Sequence, residues 1–301
     1  MQKPNVLFFS KADFSNSGYR WTEAANRTGE VSVTYFAKYP HLFGYNRGSN
    51  LLCDLQGKPD VAQHLALERA YKAADIIHYK GDDPPEDLIL ELLTDNPKPL
   101  LITASGSQFR AFAAPLLKFA KDYGARMTAT TPDLLIGDMT LLPFCFDESI
   151  YHPIARDTDC CIIGHIPSTK SKGSALIMDA ITYVSKQCPR AVVYMASGLP
   201  SQVALRSKQY MHVYIDQFGG KDAYGNSSVE AMMFGCAVVS DCSFPLFGCT
   251  ANDLPERLIR LATDTAYLQA CQDTAYDHFL NTHTYSVVGQ KLVTWYKELM
   301  P

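Results

Sequence analysis

Residues 211–241 read "MHVYIDQFGGKDAYGNSSVEAMMFGCAVVSD", and the order of the parts settles the class of fold. The mostly apolar run 211–218 predicts a buried strand. A small, glycine-containing turn follows, then a short helical run at 227–234, then Gly235 and a second apolar run at 236–241. Strand, loop, helix and strand in this order make the unit of a parallel sheet, whose strands need crossover helices and lie covered on both faces. Ser227 and Glu230 have the spacing of a capping box, serine at the N-cap and glutamate three residues on. Glu230 and Asp222 also bracket the glycine loop, where a carboxylate can accept hydrogen bonds from two vicinal hydroxyls such as those of a ribose. The residues alone leave both readings open.

The same alternation runs outward in both directions. Upstream lie a strand at 159–165, a helix at 174–188 and a strand at 190–197. The first half gives strands at 5–10, 31–37, 75–81, 99–106 and 125–131, with helices at 18–30, 61–74, 84–96 and 111–124. Two helical stretches close the chain, a broken one near 254–281 and another at 285–299, and the polar segment 146–159 reads as a linker. Apolar strands alternating with helices predict an α/β protein. We expect two doubly wound, Rossmann-like domains facing across a cleft, residues 1–150 and 151–284, followed by a terminal segment 285–301.

Bulk composition narrows the function. The chain has 301 residues, a formal net charge of −4 and 47% hydrophobic residues. A sequence pI near 6.1 is not that of a nucleic-acid binder, which is usually above about 9. No apolar run reaches the roughly 18 residues that would span a bilayer, and the N-terminus lacks the pattern of a signal peptide. Nine cysteines are scattered without metal-ligand spacing, which implies reduced thiols and a cytoplasmic protein.

Ligands of doubly wound sheets bind beyond the carboxyl ends of the strands, so the informative loops are those that follow strands. In "GHIPSTKSKGS" (164–174), Lys170 and Lys172 precede a helix N-terminus opened by Gly173 and Ser174. Two ammonium groups beside free N–H groups suit a diphosphate, and two solvated lysines on a surface loop fit equally well. The loop 10–18 contains Gly18 but no Gly-x-Gly-x-x-Gly, so a dinucleotide fingerprint is absent. His78 ends a buried strand, His165 ends the strand before the lysine loop, and Arg110 follows "SGSQF"; each has a structural reading beside a functional one.

Taken together, "HIPSTKSKGSALIMDAI" and "DAYGNSSVEAMMFGCAVVSD" resemble the phosphate loop and the acid-x7-Glu stretch of retaining glycosyltransferases of the GT-B fold, the family 4-like group. "TPDLL" (131–135) and "LLPFCFD" (141–147) resemble the end of that family's first domain. The resemblance implies a nucleotide diphosphate-sugar as donor, a UDP-sugar first among them, with no bound cofactor or metal. It implies that Glu230 binds ribose hydroxyls and that Asp222 faces the donor sugar. Backbone N–H groups around Gly225, Asn226 and Ser227 would meet sugar or phosphate, Lys170 and Lys172 would neutralise the diphosphate, and Gly18 would close over the β-phosphate. It also implies that the helix 285–299 crosses back to the first domain. Where the family often has a histidine, this sequence has Ser105, and a neutral serine is a poor general base. Acceptor activation then falls to His78 or to a donor phosphate oxygen. The acceptor is a glycan, a lipid-linked or a small molecule. The rival readings are a sugar-nucleotide-binding protein without turnover and a DNA-modifying glycosyltransferase, the latter opposed by the acidic pI.

Overall fold

The computed structural model describes residues 3–40, 50–54, 57–85, 88–157, 159–168, 172–220, 222–244 and 247–300. In chain order these form β1 (Asn5–Ala12), α1 (Ser17–Arg27), β2 (Ser32–Tyr39), β3 (Asn50–Leu51), α2 (Val61–Ala73), β4 (Ile76–Gly81), α3 (Leu88–Asp95), β5 (Leu100–Ala104), α4 (Gly106–Ala111), α5 (Ala114–Asp122), β6 (Arg126–Ala129) and β7 (Thr140–Leu141). They continue with β8 (Cys161–His165), α6 (Ser174–Gln187), β9 (Ala191–Met195), α7 (Ser201–Lys208), β10 (Val213–Ile215), α8 (Asn226–Met233), β11 (Ala237–Val239), α9 (Leu254–Thr263), α10 (Thr265–Thr282) and α11 (Tyr285–Leu299). Two compact units result: Met1–Cys145 with Tyr285–Pro301, and Phe146–Thr284.

The first unit is built on a seven-stranded parallel sheet of order β3-β2-β1-β4-β5-β6-β7. Successive side chains of a strand point to opposite faces. Leu7, Phe9, Ile77, Tyr79 and Ile102 therefore enter one core, and Val6, Phe8, Ile76 and Leu101 enter another. The second core is completed by Trp21 of α1 and by Val288, Leu292, Val293 and Tyr296 of α11. The last helix of the chain thus packs within the first unit, against α1. Its Gly289 permits the contact, because a Cβ there would lie 2.3 Å from the Ala24 carbonyl oxygen.

The second unit has a four-stranded parallel sheet of order β11-β10-β8-β9. Its core joins Ile163, Val213, Ile215 and Val239 of the strands to Ile177, Ile181 and Val184 of α6 and to Leu258 and Leu261 of α9. The expected break in 254–281 falls at Asp264, whose side chain caps α10 by accepting from Tyr267 N–H at 2.9 Å.

Each sheet reverses its winding once. In the first unit the chain moves outward from β1 to β3, then crosses to β4 and proceeds the other way, so the reversal lies between β1 and β4. In the second it lies between β8 and β10. Such switch points open a crevice at the strand carboxyl ends.

Candidate functional site

The site is the switch point of the second unit. After β8 the chain reaches Gly173, the N-cap of α6, with φ +72°. Only glycine suits this position, because a Cβ would lie 2.1 Å from the Phe218 carbonyl oxygen. Phe218 N–H donates to the Lys172 carbonyl at 3.0 Å, which ties the loop after β8 to the loop after β10. Directly after β10, the buried carboxylate of Asp216 forms an ion pair with the Lys172 ammonium. Asp216 Oδ2 also accepts from Gly225 N–H at 2.9 Å and from the Ser228 hydroxyl at 2.8 Å. Burial alone would raise the Asp216 pKa; Lys172 and these two hydrogen bonds outweigh burial and hold it below the usual carboxylate range. A Cβ on Gly225 would lie 3.2 Å from Asp216 Oδ2, so glycine lets the carboxylate rest against the backbone.

A second buried pair stands behind the first. Glu230, one turn into α8, is ion-paired with Lys208 at the end of α7, and both are buried. Lys208 Nζ also donates to the Ser227 hydroxyl at 2.8 Å and lies 5.0 Å above the Tyr214 ring. The Ser227 hydroxyl bonds the Tyr214 hydroxyl at 2.8 Å, and Asn226 Nδ2 donates to Glu230 Oε1 at 2.8 Å. The capping box suggested by the spacing does not form: Gly225 is the N-cap, without a side-chain cap, and Lys208 and Asn226 hold the Glu230 carboxylate. A buried ammonium is a stronger partner for a carboxylate than a backbone N–H.

His165 fixes the first turn of α6. Its Nδ1 donates to the Ile215 carbonyl at 2.8 Å, leaving Nε2 to accept from the Ser174 hydroxyl at 3.0 Å. Burial lowers its pKa, which favours the neutral ring that this pattern requires. A cavity of about 720 Å³ opens beside this turn, lined by Pro167, Ser168, Met178, Met195 and Ser197. A smaller cavity of about 300 Å³ lies at the amino ends of the strands, where Arg156 donates to the carbonyls of Gln209, Phe234 and Gly235.

The structure brings Lys172, Gly225, Asn226, Ser227 and Glu230 together and sets Asp222 apart on the surface. The Asp222 carboxylate accepts from Ser243 N–H at 2.5 Å and from the Ser243 hydroxyl at 2.8 Å, which lower its pKa. Lys170 lies outside the described residues. Arg110 is engaged by Asp133 through two hydrogen bonds, at 2.5 and 3.2 Å.

In the first unit, Gly18 N–H donates to Asp13 Oδ1 at 3.0 Å, and a Cβ on Gly18 would lie 3.0 Å from the Tyr35 ring. Ser105 is the N-cap of α4, half-buried, with its N–H on the Gly81 carbonyl at 3.1 Å. His78, a candidate for acceptor activation, takes the structural of its two readings and is a core residue. It is fully buried in β4, its ring nitrogens bonded at 2.7 Å to the Tyr296 and Thr103 hydroxyls, and burial lowers its pKa to about 3. It remains neutral and enclosed. Asp216 and Lys208 were not anticipated from sequence; the signal available was a charge set in or beside a buried run, which must find a partner. Among the described residues, no three His, Cys, Asp or Glu side chains converge as a metal site requires. Nor is any helix among them long and apolar enough to cross a membrane.

The fold is that of the GT-B glycosyltransferases, identified from solved structures. Sucrose-phosphate synthase from Thermosynechococcus elongatus matches at 12% identity over 98% of each chain, with a TM-score of 0.65. HepE from Anabaena, in complex with UDP and glucose, matches at 11% identity over 98% of this chain and 99% of that one, with a TM-score of 0.67. The glycosyltransferase SnogD from Streptomyces nogalater matches at 13% identity over 98% of this chain and 100% of that one, with a TM-score of 0.52. No family model and no curated protein sequence matches the chain.

Proposed function

We propose that the protein transfers a sugar from a nucleoside diphosphate-sugar, a UDP-sugar first among them, to an acceptor hydroxyl, with retention of configuration and without a bound metal ion. The observation that carries this reading is the switch point between β8 and β10. Two helix N-termini, capped by glycines and not by side chains, flank Lys172, and a cavity of about 720 Å³ opens on the β9 side of the first of them. HepE, of the same fold, has been solved with UDP-glucose. In this reading the second unit takes the donor and the first, with the terminal helix, serves the acceptor, whether a glycan, a lipid-linked or a small molecule.

Lys172, joined by Lys170, neutralises the diphosphate as it leaves, and the N–H groups of the first turns of α6 and α8 donate to it. Glu230 accepts from the ribose hydroxyls, and Asp222 leaves Ser243 to face the sugar. Gly18 has its N–H on Asp13 and His78 is enclosed, so neither is assigned a role at the reacting atoms. The acceptor proton then passes to a donor phosphate oxygen.

One observation favours a second reading, a sugar-nucleotide-binding protein without turnover: the Lys172 ammonium is already neutralised by Asp216. A thermal-shift panel of sugar nucleotides tests the site itself. A ligand at 100 times its dissociation constant adds about 2.7 kcal/mol of stability, and no stabilisation by any nucleotide sinks both readings. Donor hydrolysis then separates them. Sugar release that disappears in Lys172→Ala supports the enzyme, and tight binding without release supports the binder.

A further inference from the structure

Tyr224 stands immediately before Gly225, the N-cap of α8. The backbone on either side of it is pinned to the end of β10: Gln217 Nε2 donates to the Ala223 carbonyl at 2.7 Å, and Gly225 N–H donates to Asp216. The buried Tyr224 side chain ties the same loop to the end of α10. Its hydroxyl lies 2.9 Å from His278 Nε2 and 3.2 Å from His283 Nε2, and its ring meets Phe244 and Phe247 edge-on at 5.5 and 5.8 Å. A tyrosine hydroxyl has one proton, so it donates to one histidine and accepts from the other. An O–H donor makes the shorter bond, which assigns the donation to His278 and leaves His283 Nε2–H to donate back. His283 is the fixed side: it is buried, and its backbone carbonyl accepts from Phe146 N–H at 2.9 Å. His278 is half-buried, so solvent reaches the acceptor.

We propose that Tyr224 is a positioning residue of the donor loop, latched to α10 by His278, and that a proton taken up at His278 Nε2 opens the latch and weakens donor binding. Protonation turns Nε2 from an acceptor into a donor. Two N–H groups then face the Tyr224 oxygen, and its own O–H is left without an acceptor inside a buried cluster, which is costly. The hydroxyl must turn away to find another, and Gly225, next in the chain, loses its tie to α10. Burial lowers the His278 pKa, so the latch is closed at neutral pH and opens as pH falls below 6.5. The other titratable groups about the pair are His283, the Cys242 thiol beside Tyr224, and Asp222, two residues back in the loop. Burial raises the Cys242 pKa and the Ser243 hydrogen bonds lower that of Asp222, so neither titrates between about pH 7 and pH 5. The geometry of the latch is independent of the proposed function; its consequence for binding rests on that reading.

Hydrogen exchange of the amides of 225–228 in the unaltered chain tests the latch without a ligand. Corrected for the intrinsic rate, their protection should fall about tenfold between about pH 7 and pH 5. It should hold in His278→Gln, whose amide oxygen accepts the same proton and does not titrate. Asp216 is held below the carboxylate range and does not titrate in this window, and the comparison with His278→Gln separates out His165. Calorimetry with UDP-glucose then tests the consequence. The unaltered chain should bind about tenfold more weakly at the acid end of the window, and Tyr224→Phe about tenfold more weakly already at neutral pH. His278→Gln should bind equally at both. Protection that is constant across the window, or that falls equally in His278→Gln, overturns the proposal. So does a UDP-glucose affinity unaltered in Tyr224→Phe. Protection that follows the expected course in a chain that binds no UDP-glucose supports the latch and overturns the donor reading instead.

Discussion

Both units place a buried Asp–Lys ion pair where the winding of the sheet reverses, and the two pairs differ in what surrounds them. In the first unit Asp13 follows β1 and Lys80 comes from β4; they meet at 2.6 Å with side chains 0% and 3% exposed. Asp13 also accepts from Gly18 and Tyr19 N–H, and Lys80 donates to the Ser17 hydroxyl, so the crevice is filled by the chain's own groups. In the second unit the charges exchange places: Lys172 lies in the loop after β8, and Asp216 follows β10. The Lys172 side chain keeps 13% of its surface exposed, and glycines cap the helices on either side. One topology therefore yields a sealed junction and an open one. The sealed pair is a structural element. The open pair holds a cation that an anionic ligand can reach by competing with Asp216.

The largest effect should come from breaking the sealed pair. Asp13→Ala strands the Lys80 ammonium in the core, at a cost of about 3–5 kcal/mol, read from urea unfolding. A loss below about 1 kcal/mol would remove the distinction between the junctions. Lys172→Ala should cost less, about 1–3 kcal/mol, because Asp216 retains Gly225 N–H and the Ser228 hydroxyl.

The next effect is pH-dependent and belongs to the first unit. Folding depresses the His78 pKa from 6.5 to about 3. The contribution of His78 is therefore fully present above pH 6.5 and is lost as pH falls toward 3, because the unfolded chain takes up the proton first. The slope is about 1.4 kcal/mol per pH unit. Unfolding measured across this window should lose that component of its slope in His78→Gln, and an unchanged slope would show that His78 is not enclosed. Asp13 and Asp216, also depressed on folding, act lower on the scale: their contributions are present above the unfolded carboxylate pKa and lost as pH falls through the folded one.

The smallest effect concerns the buried pair behind the open junction. Glu230→Gln keeps the shape of the side chain and removes the charge that faces Lys208. UDP binding should weaken about tenfold, or 1.4 kcal/mol, by isothermal titration. Unaltered affinity would reduce Glu230 to a partner of Lys208.

The architecture was readable because buried parallel strands announce themselves as short apolar runs. The runs 5–10, 75–81, 99–106, 159–165 and 190–197 all contain strands of the two sheets. The order of those strands was not readable, since it depends on pairings between residues far apart in sequence. The two-residue edges β3 and β7 carry too little pattern to register. At the site, the glycine and lysine loops were visible as local composition, and the partners of the charges were not. Asp216 fell inside the run 211–218, which reads as one strand although β10 ends at Ile215. Ser227 and Glu230 showed correct capping spacing, and a lysine from another helix prevailed over it. Local spacing reports what a backbone offers, and the ion pairs were decided by residues brought in from elsewhere in the fold.

The open junction is tested most directly by titrating UDP into the unaltered chain and into Lys172→Ala by isothermal calorimetry. The account predicts saturable binding to the unaltered chain and about tenfold weaker binding to the variant, with the variant still folded by circular dichroism. Binding that is absent from the unaltered chain, or equal in the two, would contradict it.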